Sequence, residues 1–319
     1  MSDLISRRRI IRDAALFAAV SSVGSVFAQS VPRSSFGAQS TAEEVTAGLD
    51  LSGKTAVVTG CNSGIGYETM RVLALRGAHV IGTARSIEKG LDAANSVSGQ
   101  VTPMVLELTD FDGTVACAQQ IRAMDVPIDM LVLNAGLLIL DHQQTRGLER
   151  QFVVNHLGHF ILGNHLMERV IAAPAGRVVV IGSNAHRRAP RGGIQFDDLS
   201  GAGWYEVGYP HSKLANGLYS HELAQRLAGT RATSNVIYPG GSSTNLLRYA
   251  NVEPSRERKS PAQGAATQCY VATHPSLAGV TGQVFADCNV AAQSDDQADM
   301  AMAARLWEVS EELTRDYLI

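Results

Sequence analysis

The sequence predicts a single α/β domain built on a mostly parallel sheet with helices on both faces. Short β-branched runs alternate with helical patterns from residue 51 onward, which is typical of parallel strands joined by crossover helices. The chain has 319 residues, 45% of them hydrophobic, which is enough for one large core. We expect seven strands, near residues 54–59, 78–83, 101–106, 130–133, 177–181, 233–238 and 283–285. We expect helices near residues 64–76, 87–96, 111–123, 147–169, 209–228, 261–273 and 296–313.

The first predicted strand leads directly into a glycine-rich turn and then a helix. The turn contains Gly60, Gly64 and Gly66. Glycines in this setting let the backbone approach a pyrophosphate that lies at the helix N-terminus. The spacing is Gly-x-x-x-Gly-x-Gly rather than the usual dinucleotide fingerprint, so the turn by itself is also compatible with a tight turn and nothing more. Its position between a buried strand and a helix predicts a nucleotide cofactor.

Tyr209 and Lys213 lie one turn apart in a predicted helix, so the phenol and the ammonium are expected to point the same way. A cation beside a phenol favours the phenolate and lowers the tyrosine pKa from about 10. A tyrosine of that kind can exchange a proton with an alcohol or a carbonyl. An ordinary amphipathic helix would place the two residues in the same way. The glycine-rich turn upstream favours the catalytic interpretation.

Four further motifs follow the glycine-rich turn in order. They are an Asn-Ala-Gly strand end, a helical asparagine, a serine that closes a strand, and a Pro-Gly pair followed by a threonine, at residues 134–136, 155, 183, 239–240 and 244. With the turn at 59–66 and the Tyr209/Lys213 pair, this series resembles the short-chain dehydrogenases/reductases from about residue 51 to the C-terminus. Segments 155–160, 211–216 and 285–288 are similar to the retinol dehydrogenase branch. Leu133 departs from the pattern, since a second asparagine is usual there.

The resemblance implies a Rossmann-type, doubly wound fold and hydride transfer between C4 of a nicotinamide and a carbinol carbon. It implies that Tyr209 is the acid/base and that Lys213 lowers its pKa and holds the nicotinamide ribose. It also implies that Ser183 orients the substrate oxygen and that Asn155 positions a water linking Lys213 to solvent. The cofactor contacts that it implies are Gly60, Asn62, Ser63, Gly64, Ile65, Gly66, Arg85, Glu107, Leu108, Asn134, Ala135, Gly136, Tyr209, Lys213, Pro239, Gly240 and Thr244.

The end of the second predicted strand bears on the choice of cofactor. An acidic residue there binds a ribose 2′-hydroxyl, whereas an arginine accommodates a 2′-phosphate. Ala84 stands at the acidic position and Arg85 follows it, so NADP is favoured over NAD. A solvated charge is the alternative interpretation of Arg85. Glu107 occupies the position where the family usually has an aspartate against the adenine ring.

The remaining features restrict the partners. The formal charge of −3 does not indicate nucleic acid or an anionic membrane surface. The four cysteines show no metal or redox spacing, and the histidines at 156, 159, 186 and 211 show no metal-ligand spacing, so no metal is expected. The expected partner is a small alcohol or carbonyl substrate, and a homo-oligomer stays open. Segment 185–207 is expected to form one wall of the substrate pocket, and 244–259 a lid.

The N-terminus is predicted to be a signal, residues 1–28, followed by a linker, 29–50, and one domain, 51–319. Residues 6–12 fit the twin-arginine pattern, and the apolar stretch up to Phe27 is too short to span a bilayer. Export to the periplasm is therefore expected. A retained membrane anchor, with the domain kept in the cytoplasm, is the alternative.

Three other functions share part of this set of motifs with the dehydrogenases. A catalytically idle NADP-binding sensor or scaffold needs the glycine-rich turn but not the set of Asn155, Ser183, Tyr209 and Lys213. A sugar epimerase or dehydratase needs a larger C-terminal substrate domain than the residues after Tyr238 supply. Reduction of a carbon–carbon double bond on the same fold is a weaker alternative.

Overall fold

The sheet at the centre of the domain has eight strands, of which seven are parallel. The structure, a computed structural model, describes residues 31–246 and 258–319. The strands of this sheet are β1 (Thr55–Val58), β2 (His79–Ala84), β3 (Val101–Val105), β4 (Met130–Leu133), β7 (Arg177–Ile181), β8 (Thr233–Tyr238), β9 (Val284–Ala286) and β10 (Asn289–Val290). Their order is β3-β2-β1-β4-β7-β8-β9-β10. A separate hairpin pairs β5 (Gln144–Thr145) with β6 (Leu148–Glu149).

Helices cover both faces of the sheet, as the sequence predicts. They are α1 (Ala42–Val45), α2 (Gly64–Leu75), α3 (Ile87–Asn95), α4 (Phe111–Ala123), α5 (Arg150–Phe152), α6 (Gly158–Ala172), α7 (Gly208–Arg226), α8 (Pro261–Thr273), α9 (Asp295–Ala298) and α10 (Met300–Thr314). One apolar cluster contains Val58 of β1 together with residues of α2 and α8. A second apolar cluster contains Val57 together with residues of α4, α6 and α7. Alternate residues of one strand thus enter opposite cores, which explains its continuous apolar sequence.

The eighth strand of this sheet, β10, is not among the predicted strands. It pairs antiparallel with β9 through the register Ala286 to Asn289 and Phe285 to Val290. The two residues between the strands, Asp287 and Cys288, have φ values of 51° and 60°. Positive φ at both central residues is the geometry of a tight two-residue hairpin turn. A two-residue strand is too short to produce an alternating sequence pattern, so only the seven parallel strands were predictable.

Residues 31–50, predicted as a linker, pack against the domain instead. Ala42 and Val45 are buried in the cluster that α2 and α8 form. The Phe36 ring meets Tyr270 edge to face, with 5.9 Å between the ring centres. Asn289 holds the same segment through its side chain, which donates to Phe36 O at 2.9 Å. A Ser- and Gln-rich composition concealed this docking because only a few apolar residues carry it. The predicted signal, residues 1–28, lies outside the described residues.

All four cysteines, Cys61, Cys117, Cys269 and Cys288, are buried and unpaired. Among the described residues we find no group of three or more His, Cys, Asp or Glu side chains arranged to hold a metal ion. None of the helices in residues 31–246 and 258–319 combines the length and apolar character that crossing a bilayer requires.

Candidate active site

The predicted site residues gather at the carboxyl ends of neighbouring parallel strands. Gly60 follows β1, Asn134 follows β4, Ser183 follows β7 and Pro239 follows β8. The order of these strands in the sheet is β1-β4-β7-β8, so the four loops line one edge. In open α/β sheets this edge is where ligands bind.

The glycine-rich turn is packed so closely that a side chain at Gly66 has no space. A Cβ there would overlap the Gly60 carbonyl oxygen and Asn134 Nδ2. Gly60 itself has a φ of +75°, in the region that glycine adopts without strain. The bare backbone at the start of α2 has the shape that a pyrophosphate needs at a helix N-terminus. A Cβ on Gly64 would lie 3.3 Å from the Thr244 side chain, so Thr244 borders the same turn.

Thr59 joins the ends of β1 and β4. Its hydroxyl oxygen accepts the backbone N–H of Asn134 at 2.9 Å and of Ala135 at 2.8 Å. The Asn134 side chain returns a hydrogen bond to Thr59 O at 2.8 Å. Through these three bonds the Asn-Ala-Gly strand end is held against the glycine-rich turn. This packing agrees with a shared role of the two segments in holding one cofactor.

The other predicted cofactor residues are more dispersed. Arg85 is exposed just beyond β2. The Glu107 carboxylate accepts the backbone N–H and the hydroxyl of Thr109, at 3.1 and 2.9 Å, within its own turn. Gly240 lies against the Lys259 side chain, which is paired with Asp287. Of the remaining predicted residues, Asn62 and Ser63 lie in the glycine-rich turn and Ile65 lies at the start of α2. Leu108 directly follows Glu107, and Gly136 is the last residue of the Asn-Ala-Gly strand end.

Ser183 and Tyr209 lie close enough for the Ser183 side chain to influence the Tyr209 phenol. Ser183 begins the turn after β7, where its hydroxyl accepts the Ala185 N–H at 3.1 Å. Tyr209 is the second residue of α7. Burial raises the pKa of the Tyr209 phenol to about 12, although a hydrogen bond with the Ser183 side chain acts in the lowering direction. The Tyr209 residue as a whole is only partly buried.

Lys213 lies one turn further along α7, on the same side as Tyr209. Its Nζ is 5.6 Å from the centre of the Tyr209 ring and donates to Ile181 O at 2.9 Å. Burial lowers the pKa of Lys213 to about 7. The shared face is as expected, but the expected lowering of the Tyr209 pKa by Lys213 is not observed. Burial disfavours the charged forms of both groups, and for Tyr209 this effect exceeds the lowering of the pKa by the Ser183 side chain.

Asn155 lies in a π-helical turn, Val153–Leu157, between α5 and α6. Its side chain bonds both backbone groups of Leu137, at 2.7 Å for the N–H and 3.0 Å for the carbonyl. It also donates to Ser212 Oγ at 2.9 Å, and Ser212 donates to Tyr209 O at 2.8 Å. Asn155 thereby connects the loop after β4 to the helix that carries the tyrosine. The sequence reasoning missed both the π-helical turn, which has no sequence signature, and the connecting role of Ser212.

The structure brings Asn155 and Lys213 together around Gly136. A Cβ built on this glycine would lie 3.5 Å from Asn155 Oδ1 and 3.7 Å from Lys213 Nζ. Asn155, Ser183, Tyr209 and Lys213 therefore form one connected group, and Gly136 links it to the strand end that Thr59 holds.

Comparison with known proteins agrees with this geometry. Residues 54–254 match the short chain dehydrogenase family. The short-chain dehydrogenase TIC 32 B of Brassica napus, a chloroplastic protein, is 37% identical over 300 residues, covering 87% of this chain and 94% of its own. Human retinol dehydrogenase 11 is 37% identical over 279 residues, covering 83% of this chain and 87% of its own.

A solved structure adds information on the cofactor. A Beutenbergia cavernae protein, provisionally named an NAD(P)-dependent gluconate 5-dehydrogenase, was solved with NADP bound at low occupancy. It superposes with a TM-score of 0.59 and 25% identity, covering 75% of this chain and 96% of its own. This likeness supports NAD(P) binding without deciding between NAD and NADP. The chain belongs to the short-chain dehydrogenase family and is an oxidoreductase that acts on CH–OH groups.

Proposed function

We propose that the protein is an NADP(H)-dependent oxidoreductase that transfers hydride between the nicotinamide and a small or apolar alcohol or carbonyl substrate. The observation that carries this proposal is the face of α7 that Tyr209 and Lys213 share, with Lys213 Nζ 5.6 Å from the centre of the Tyr209 ring, beside Ser183 at the end of β7. All three lie at the sheet edge where the glycine-rich turn provides a bare helix N-terminus. A protein that only bound the cofactor would need the turn and not this group of side chains.

The bound nicotinamide supplies the hydride donor or acceptor of the reaction. Tyr209 holds the proton that the substrate oxygen gains or loses, and its raised pKa keeps the phenol protonated and ready to donate to a carbonyl. Ser183 lies beside that phenol and orients the substrate oxygen. Lys213, with a pKa of about 7, exchanges protons readily near neutral pH and is placed to hold the ribose. Asn155 forms hydrogen bonds with Leu137 and Ser212, which fix the loop after β4 relative to the helix that carries Tyr209.

An apolar substrate fits the loop that leaves β4. Residues 137–140, Leu-Leu-Ile-Leu, follow Gly136 directly, and Leu140 is 56% exposed. An apolar run beside the reacting groups favours an apolar alcohol or carbonyl over a sugar. The similarity to a protein named retinol dehydrogenase supports the same class. The test is a screen of the purified domain with NADPH and NADH against aldehydes, ketones and alcohols of graded polarity. A preference for polar sugars would contradict the proposed class.

Arg85→Ala is expected to weaken NADPH binding much more than NADH binding. Only NADPH carries a 2′-phosphate that the guanidinium can bind through a charge-assisted hydrogen bond. Titration of both cofactors by fluorescence measures the effect. Arg231→Ala is a matched control, because Arg231 is also exposed but precedes β8 at the opposite end of the strands. Equal losses for the two cofactors would show that Arg85 does not read the phosphate.

We further propose that the chain is exported by the twin-arginine route. The basis is the Ser-Arg-Arg pattern at residues 6–8, which lies outside the described residues. Replacing Arg7 and Arg8 with lysine keeps the charge but removes the guanidinium pair, so a periplasmic form starting near Gln29 is expected to disappear. Cell fractionation with N-terminal mass measurement checks this, and Arg9→Lys is the control. An uncleaved protein in the same fraction for all variants would favour a membrane anchor.

A further inference from the structure

We propose that His159 is a positioning residue that ties the turn carrying Asn155 to the strand end that receives the cofactor. Its Nδ1 lies 3.1 Å from Asn155 O, and its Nε2 lies 2.9 Å from Thr59 Oγ1. The side chain is buried, so water does not compete for either bond. This inference rests on the proposed function, because it assigns a role within the same site.

The hydrogen bonds around Thr59 determine which ring nitrogen carries the proton. Asn155 O is a carbonyl and can only accept, so Nδ1 must donate to it. Thr59 Oγ1 already accepts two backbone N–H groups, from Asn134 and Ala135. Its own proton is therefore free to be donated to Nε2, which accepts. Every donor and acceptor in this chain of bonds is matched when His159 is neutral with the proton on Nδ1.

The surroundings keep His159 in that neutral form. Burial, together with the nearby charge of Lys213, lowers the pKa of His159 to about 4, although the bond to Asn155 O acts in the opposite direction. A doubly protonated ring would present an N–H to the Thr59 hydroxyl and lose the acceptor that this hydroxyl needs. The direction of both hydrogen bonds is therefore constant at neutral pH.

The two bonds act on different parts of the proposed reaction. The Nδ1 bond restrains the Asn155 peptide, whose side chain connects to Tyr209 through Ser212. The Nε2 bond fixes the Thr59 hydroxyl, which orients the N–H groups of Asn134 and Ala135 beside the glycine-rich turn. Loss of the first bond should reduce turnover, whereas loss of the second should weaken cofactor binding. A residue that only filled space would affect neither selectively.

Three variants separate these contributions. His159→Phe keeps the ring volume and removes both bonds. His159→Asn places an amide where Nδ1 stood and keeps the bond to Asn155 O. His159→Gln places an amide oxygen where Nε2 stood and keeps the bond to Thr59. The control is His156→Phe, because His156 is equally buried and lies in the π-helical turn just before α6 but bonds Ser310 of α10.

The measurements are the Kd for NADPH by fluorescence, kcat with a saturating substrate, and Tm. His159→Phe should lower kcat by about 10²-fold, the loss expected of a misplacement near 1 Å, and should raise the Kd. His159→Asn should recover kcat but not the Kd, and His159→Gln the reverse. The control should change Tm alone.

Several outcomes would overturn the assignment. One is a folded His159→Phe protein with the kcat and Kd of the wild type. Another is equal loss of kcat and affinity in the Asn and Gln variants, which would indicate a packing role. If His159→Phe does not fold, the other two variants still test each bond separately. A wild-type protein without turnover on any substrate would contradict the proposed function, while the Kd values would still test the Thr59 half of the inference.

Discussion

Tyr209→Phe should lower kcat by about 10²–10⁴-fold, the usual contribution of general acid–base catalysis, and leave NADPH affinity nearly unchanged. The variant removes the phenolic hydroxyl while keeping the ring beside Lys213. Steady-state kinetics and a fluorescence titration of NADPH measure the two quantities.

Tyr317→Phe is the matched control for this experiment. Tyr317→Phe likewise removes one hydroxyl, which accepts a hydrogen bond from Arg146. The Tyr317 ring packs against Phe111 on α4, away from the catalytic group. Its kcat should equal that of the wild type. Near-normal turnover of Tyr209→Phe would remove Tyr209 from its proposed role as the proton donor and acceptor.

Gly66→Ala should raise the Kd for NADPH by about 5–150-fold. The added methyl would overlap the Gly60 carbonyl and the Asn134 side chain, so the turn must shift before the cofactor can dock. Overpacking of this kind costs about 1–3 kcal/mol, which corresponds to the stated range of affinity. Titration of NADPH, with circular dichroism to verify folding, tests the expectation.

Gly37→Ala provides the comparison, because nothing lies within 4 Å of a Cβ at that position. It should bind NADPH with the affinity of the wild type. An unchanged Kd in the Gly66 variant would mean that the turn tolerates a side chain and that the cofactor does not depend on its close packing.

The sequence was sufficient for the parallel part of the fold. Buried parallel strands are apolar on both faces, so β1 and β4 appear as short uninterrupted apolar runs that alternate with helical patterns. What the pattern could not predict depends on contacts between distant segments. The docking of Phe36 against Tyr270 is one example, since neither residue signals the other along the chain. The break between α9 and α10 at Asp299, inside a helix predicted to be continuous, is another.

The candidate site was predictable to a similar degree. Spacing alone placed Tyr209 and Lys213 on one face of α7, because four residues make one turn. The direction of the Tyr209 pKa shift was not predictable, since it depends on how much protein surrounds the phenol. Nothing in the sequence indicates a positioning role for His159 either, because its hydrogen bond with Thr59 joins segments that are far apart in the chain. Its importance is inferred from Thr59, which is 100 residues away in sequence.

The burial of the four thiols makes the fold insensitive to the redox state of its compartment. Burial raises the pKa of Cys117 and Cys269 to about 12 and of Cys288 to about 11, and it raises that of Cys61 as well. Because the thiolate is the form that reacts, these side chains offer almost none of it to oxidants or disulfide-forming enzymes at neutral pH. A protein folded in a reducing cytoplasm would therefore keep the same covalent structure after transfer to an oxidising periplasm.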